Sequence, residues 1–277
     1  AYQEQMRADI TVGCIEVPAI EARAFGVMGV DASDRVTAFV EKPADPPCVP
    51  GKPGIALASM GIYVFNTPFL FDQLIRDADE PRSAHDFGKD LLPYLVPRYR
   101  VYAHRFGDSC VGSENGLPYW RDVGTVDAYW EANMELTRVT PALNLYDDDW
   151  PIWTHQEQLP PAKFVFDDEG RRGMAVDSLV SGGDIVSGAT VRRSLLFSNV
   201  RIDHRSVIED CVVLPDVTIG ADVVLRKVVV DKRCVIPDGM RIGVDRAEDE
   251  ARGFHITERG VTLVTPDKLG QPTHVTR

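Results

Sequence analysis

Residues 39–43 read Phe-Val-Glu-Lys-Pro, an apolar strand that closes on an adjacent acid and base and is stopped by proline. Such a pair has two uses. Solvated, Glu41 and Lys42 make a surface ion pair worth under about 1 kcal/mol. Turned toward a pocket, the carboxylate accepts hydrogen bonds from hydroxyls and the ammonium meets an anion such as a phosphate. Other chemistry-bearing types are sparse. Asp86-Phe87-Gly88 spells the DFG of kinases, but no kinase glycine loop or catalytic loop accompanies it, so Asp86 and Lys89 read as helix-start and packing residues. The five cysteines (Cys14, Cys48, Cys110, Cys211, Cys234) are odd in number, widely spaced and without a CxxC pair, as expected of reduced thiols rather than a disulfide frame or zinc site. The six histidines are scattered too.

The 277 residues suffice for one large or two ordinary domains. A net charge of -12 argues against nucleic acid or an anionic membrane as the main partner, yet a few local cations can still bind a phosphorylated small molecule. No apolar run approaches the ~20 residues of a membrane helix, and the first residues have no signal-peptide core. A cytoplasmic protein is expected. The chain opens on Ala1, in what reads as the middle of a helix, so a preceding segment is expected.

The elements that must position Glu41 and Lys42 come next. Residues 10–17 read as a β-branched strand closed by Pro18. Residues 26–31 and 35–41 read as a hairpin across the turn-forming 31–34, delivering the pair at its far end. Residues 43–54 are too rich in proline to be anything but loop, and 56–65 return as a buried strand. Thr67, with Pro68 behind it, reads as the N-cap of one helix, and Ser83 as the N-cap of another over 83–96. A strand follows at 100–106, a strand end and loop at 119–125, and a helix capped by Thr125. On that helix Val126, Tyr129, Trp130, Asn133, Met134 and Thr137 share one face. This is the pattern of an α/β layer domain.

Composition changes after a proline- and acid-rich connector. From about 179 helix signals vanish and a repeat appears: Ile185, Ile202, Ile219 and Ile236 stand 17 residues apart. Val191, Phe197, Ile208, Leu214, Leu225, Val230 and Ile242 fall between and after them as further anchors. That predicts a hexapeptide-like coil of three short strands per turn around an aliphatic stack. His204 reads as a solvated corner rather than the catalytic histidine of a hexapeptide acyltransferase. Exposed coil edges favour assembly. The expected domains are 1–140, a connector over 141–178, and a coil over 179–277.

Several strings together resemble bacterial glucose-1-phosphate adenylyltransferases: AFGVM (24–28), FVEKP (39–43), LASMGIYVF (57–65), HDFGKDLLP (85–93), YWRDVGTVDAYWEAN (119–133), LPPAKF (159–164), SLVSGG (178–183) and CVIPDGMRIG (234–243). The resemblance implies a Rossmann-like α/β nucleotidyltransferase domain, here incomplete at its N-terminus, followed by a left-handed parallel β-helix. It implies conversion of ATP and α-D-glucose 1-phosphate to ADP-glucose and pyrophosphate with Mg²⁺. Lys42 would hold the sugar phosphate, Glu41 the sugar hydroxyls, and Ser59 and the backbone at Gly26 would line the same pocket. Asp122 would be the catalytic, Mg²⁺-binding carboxylate. Asp216 and Lys232 match positions of an anionic effector site, and a homotetramer is implied. The family's glycine-rich ATP loop has no counterpart among these residues, so the chain alone is expected to be inactive. The alternative is a non-catalytic regulatory or assembly subunit that binds sugar phosphate.

Overall fold

The computed structural model describes residues 2–110, 118–168 and 170–273. By contacts these divide into two units, 2–110 with Pro118 and the residues from 119 onward.

The first unit opens with two single-turn helices, α1 (Tyr2–Gln5) and α2 (Ala19–Ala22), on either side of β1 (Ile10–Pro18). Then come β2 (Gly26–Val30), β3 (Val36–Glu41), β4 (Ile55–Phe65), α3 (Thr67–Ala78), a π-turn over Phe87–Leu91 that runs into α4 (Leu92–Leu95), and β5 (Val101–Arg105). The five strands form one sheet in the order β3-β2-β4-β1-β5, antiparallel except for β1 beside β5. Ile10, Val12 and Cys14 alternate along β1 and are fully buried with Met28, Leu57, Leu92 and Leu95. Burial pushes the Cys14 thiol up to about 12, as it does those of Cys211 and Cys234 in the second unit.

The hairpin expected across 31–34 is present, with Gly26 opposite Glu41. Both helix caps differ from expectation. Asn66, not Thr67, precedes α3, with Pro68 in its first turn. Asp86, not Ser83, caps the next helix: its Oδ1 accepts the N–H of Gly88 at 2.8 Å and of Lys89 at 2.9 Å. Ser83 is occupied elsewhere, donating to the buried Asp77 carboxylate. The capped turn also opens as a π-turn, so 83–96 is not one continuous α-helix.

In the second unit residues 119–125 are loop throughout, without the expected strand end. Thr125 caps α5 (Val126–Leu136) as expected, accepting the N–H of Ala128 at 3.1 Å. Beyond the connector the chain winds into a three-sided parallel β-helix of the hexapeptide class. One side stacks Val186, Ile202, Ile219 and Ile236, the second Val191, Ile208, Leu225 and Ile242, and the third Leu196, Val213, Val230 and Val264. Every one of these side chains is at most 1% exposed. Each such burial stabilises by about 1.5–3 kcal/mol.

Three anchors from the sequence pattern are displaced. Ile185 pairs with Arg201, and Val186 is the residue that stacks on Ile202, because this coil is 16 residues long and the later ones 17. Phe197 and Leu214 lie outside the coil, where they join Val212, Val229 and Val261 beneath α5. Corners recur with the same spacing: Gly188, Arg205, Asp222 and Gly239 all hold left-handed φ values between 58° and 70°. Arg205 bonds the Asp222 of the next corner at 2.6 Å, and Arg193 bonds Asp210 at 2.7 Å. His204 sits in one of these turns, half-buried. Among the described residues no helix is long and apolar enough to cross a membrane.

Candidate sugar-phosphate and metal site

Three local devices converge around Glu41. The first is the hairpin end. Gly26 stands opposite Glu41, between the Phe39 ring and the Glu41 carboxylate; a Cβ there would lie 2.6 Å from Phe39 Cζ and 2.9 Å from Glu41 Oε2. The second is a bulge in β4. Cys14 pairs with Ser59 while Gly13 pairs with Ile62, so Met60 and Gly61 are looped out. Gly61 takes φ +72°, and its N–H bonds the Ser59 hydroxyl at 3.2 Å. Bulges of this kind re-aim a side chain, and here the result is a buried Ser59 joined to Tyr63. The third is the π-turn, which brings Phe87 flat onto Tyr63, with ring centroids 5.4 Å apart, and sets Gly88 against Glu41.

Tyr63 ties these together electrically. Burial raises its phenol pKa first; the Ser59 hydrogen bond opposes this, and the negative charges of Glu41 and Asp86 add to the rise. Tyr63 therefore stays a neutral O–H donor and acceptor at physiological pH. The Glu41 carboxylate is half-buried, and no described residue donates a hydrogen bond to it. Two free oxygen acceptors beside an aromatic wall suit a polyhydroxylated ligand.

Lys42 turns the chain out of the strand. It adopts φ +47°, uncommon for a non-glycine residue, and its N–H donates to the Phe25 carbonyl at 2.9 Å. Its side chain is exposed and makes no ion pair among the described residues. An unpaired ammonium one residue beyond an unpaired carboxylate fits a ligand with hydroxyls at one end and a phosphate at the other.

The structure thus gathers Gly26, Glu41 and Ser59, with Lys42 next to Glu41. It adds Tyr63, Asp86 and Gly88, which the sequence reading did not place here. Nothing in the sequence marks Gly88 for this place; its role shows only when Glu41 folds against it.

Asp122 lies in the second unit, exposed, in the loop before α5. Its Oδ1 accepts the Gly124 N–H at 3.2 Å. Arg121 beside it is drawn away by Glu135, which takes its Nη2 at 3.2 Å, so Asp122 is not neutralised by its neighbour. The loop is held through α5, which is fastened to the coil. Trp130 Nε1 donates to the Asp210 carbonyl at 2.8 Å, Thr257 donates to Asp127 at 2.6 Å, and Arg259 pairs with Glu131. Among the described residues no three His, Cys, Asp or Glu side chains converge as a metal cage. One accessible carboxylate does fit a hard cation whose remaining ligands are phosphate oxygens and water, the usual manner of Mg²⁺.

The two candidate effector residues occupy adjacent coil corners. Asp216 is engaged by Asn199 at 3.3 Å and Arg233 at 3.7 Å, and Lys232 is half-buried, its N–H on Asp231 Oδ1.

The profile of the "Nucleotidyl transferase" family matches residues 1–139, and that of "GlmU-like, C-terminal hexapeptide" matches residues 160–264. A "Glucose-1-phosphate adenylyltransferase" of Nitrosospira multiformis is 66% identical over 98% of this chain and 63% of its own length. Proteins of the same name from Dechloromonas aromatica (66% over 98% of this chain and 61% of its own) and Methylobacillus flagellatus (68% over 97% and 62%) are similar to it in the same way. The chain spans about three fifths of the length of these curated relatives. With half of its residues under the first profile and a hexapeptide coil under the second, the chain belongs to the nucleotidyl transferase family.

Proposed function

We propose that the protein is a glucose-1-phosphate adenylyltransferase, joining ATP and α-D-glucose 1-phosphate into ADP-glucose and pyrophosphate, the committed step of bacterial glycogen synthesis. The observation that carries this reading is the 66% identity, over 98% of the chain, to a relative bearing that name. The unpaired Glu41 carboxylate and Lys42 ammonium support it.

In this reading a phosphate oxygen of the sugar phosphate attacks the α-phosphorus of ATP. The bond to the pyrophosphate oxygen breaks in line, and pyrophosphate leaves with the electron pair. Such chemistry needs positioning and charge neutralisation more than a covalent nucleophile. Lys42 would hold the sugar phosphate as a point charge. Glu41 would accept from sugar hydroxyls, while Ser59, Tyr63 and the backbone at Gly26 complete the pocket wall. Asp122 would offer a carboxylate oxygen to Mg²⁺, whose charge, when bound, offsets that of the phosphates. Anionic effectors at the corner of Asp216 and Lys232, assembly into a homotetramer through the coils, and a cytoplasmic location complete the proposal.

The direct test, made on these residues joined to the preceding segment of the Nitrosospira multiformis relative, is formation of ADP-glucose and pyrophosphate in equal amounts from the two substrates. The site is tested by calorimetric titration of the 277-residue chain. Lys42→Ala should weaken glucose 1-phosphate about tenfold or more, the loss of one charge-assisted contact, and leave the melting temperature unchanged. Unaltered binding of glucose 1-phosphate would remove Lys42 from the sugar-phosphate site.

A further inference from the structure

Gly88 carries no conformational reason for being glycine. It is absent from the residues with left-handed φ, and it lies in the π-turn over Phe87–Leu91. Alanine would be better by about 1 kcal/mol in a helical backbone of this kind. What glycine supplies here is room. A Cβ on Gly88 would stand 2.8 Å from Glu41 Oε2, and a Cβ on Gly26 would stand 2.9 Å from the same oxygen. The two glycines come from separate elements, β2 and the π-turn, and both are buried.

We propose that Gly26 and Gly88 form a two-sided slot that fixes the Glu41 carboxylate in the orientation in which it receives the sugar hydroxyls, making Gly88 a positioning residue for sugar-phosphate recognition. The inference rests on the sugar-phosphate reading of Glu41 given above. No described residue donates to that carboxylate, so hydrogen bonds do not set its rotamer; the slot does by shape. Asp86 holds the far wall in place, since its Oδ1 caps the N–H groups of Gly88 and Lys89 and lies 3.4 Å from the site of the missing Cβ. The Phe39 ring closes the Gly26 side, 2.6 Å from where a Cβ would be. A methyl on the Gly88 wall would push the carboxylate out while leaving the sheet and the turn intact, whereas one on Gly26 would also collide with the buried Phe39 ring.

The 277-residue chain is titrated with glucose 1-phosphate as wild type, Glu41→Ala, Gly88→Ala, Gly88→Ala with Glu41→Asp, and Gly29→Ala. Gly29 lies on the same strand as Gly26, and a Cβ there meets nothing closer than 3.4 Å. Gly88→Ala should keep or raise the melting temperature and weaken glucose 1-phosphate about tenfold. The shorter aspartate should recover at least part of that loss, because it withdraws the carboxylate from the added methyl. Gly29→Ala should bind as wild type.

If Glu41→Ala binds glucose 1-phosphate as well as wild type, the sugar-phosphate reading itself fails. If Glu41→Ala weakens binding while Gly88→Ala does not, the slot alone is overturned. A lowered melting temperature in Gly88→Ala that the Glu41→Asp change does not restore would assign Gly88 to the fold and overturn the slot as well.

Discussion

Carboxylates withdrawn to different depths in this chain serve very different ends. Glu41 keeps its acceptors unengaged, whereas Asp184 is fully buried and spends both oxygens on the backbone, taking the N–H of Val200 at 2.8 Å and of Ser181 at 3.2 Å. Burial pushes its pKa to about 7, against the pull of those two bonds. In the unfolded chain the same group titrates near ~3.9. With the folded pKa raised, the folded coil binds the proton more tightly, so this stability is fully present below the unfolded pKa and is lost as pH rises through about 7. The coil should therefore melt at a higher temperature at about pH 5 than at about pH 8, trial values on either side of the folded pKa. Asp184→Asn should flatten that difference while lowering the melting temperature at acid pH, because an amide nitrogen cannot accept the second N–H. An unchanged pH profile in the asparagine variant would exclude Asp184 as its source. At this scale side-chain type and spacing alone mark Glu41 and Lys42 as candidates to meet a ligand. The sequence was not legible where the informative atom is one that is missing, as at Gly88, whose meaning appears only when a distant carboxylate folds against it.

Elements were readable where their signal is local and less so where competing partners decide. The hairpin to Glu41 follows from β-branched runs and turn residues in one short stretch. The helix caps do not, since Ser83, Thr67, Asn66 and Asp86 are all competent caps, and Ser83 is lost as one because Asp77 claims its hydroxyl. Helix α5 offers the sharpest case. Its apolar face was evident from spacing, but its partner was not: Tyr129, Trp130 and Met134 pack on Val212, Val229 and Val261 of the coil. Phe197 and Leu214 looked like interior anchors because the coil period allows it, yet they serve this outer contact. Trp130→Phe removes the bond to the Asp210 carbonyl and keeps most of the packing. It should cost about 1 kcal/mol of unfolding free energy in denaturant titration. A cost near zero would mean that water replaces the indole.

For the molecule as a whole, two hydrophobic cores divide the stability. One surrounds the five-stranded sheet and the other runs down the coil. Because each turn of the coil contacts mainly its neighbours, damage to one layer propagates along the stack. Ile219→Ala, in the middle of a side whose members are at most 1% exposed, should lower coil stability by about 2–5 kcal/mol. The transition of the sheet unit, followed by amide exchange at β1, should not move with it. A common shift of both would argue for one cooperative block. The repeat gave the coil class and its three-strand turn almost completely. What it concealed was the single 16-residue turn at Val186, because Ile185 happens to keep the 17-residue count while its side chain leaves the stack.

Helix α5 also bears on where such a polypeptide divides. The nucleotidyl transferase profile runs to residue 139, and so counts this helix with the sheet domain, whereas its apolar face is glued to the coil. A truncation at the profile boundary would leave two sticky pieces, a coil with Val212, Val229 and Val261 bare and a sheet fragment trailing an uncovered Trp130. A break ahead of Tyr119 spares that seam. The segment carrying Asp122 then travels with the coil, so swapping coils between relatives would transplant the proposed Mg²⁺ ligand along with the scaffold.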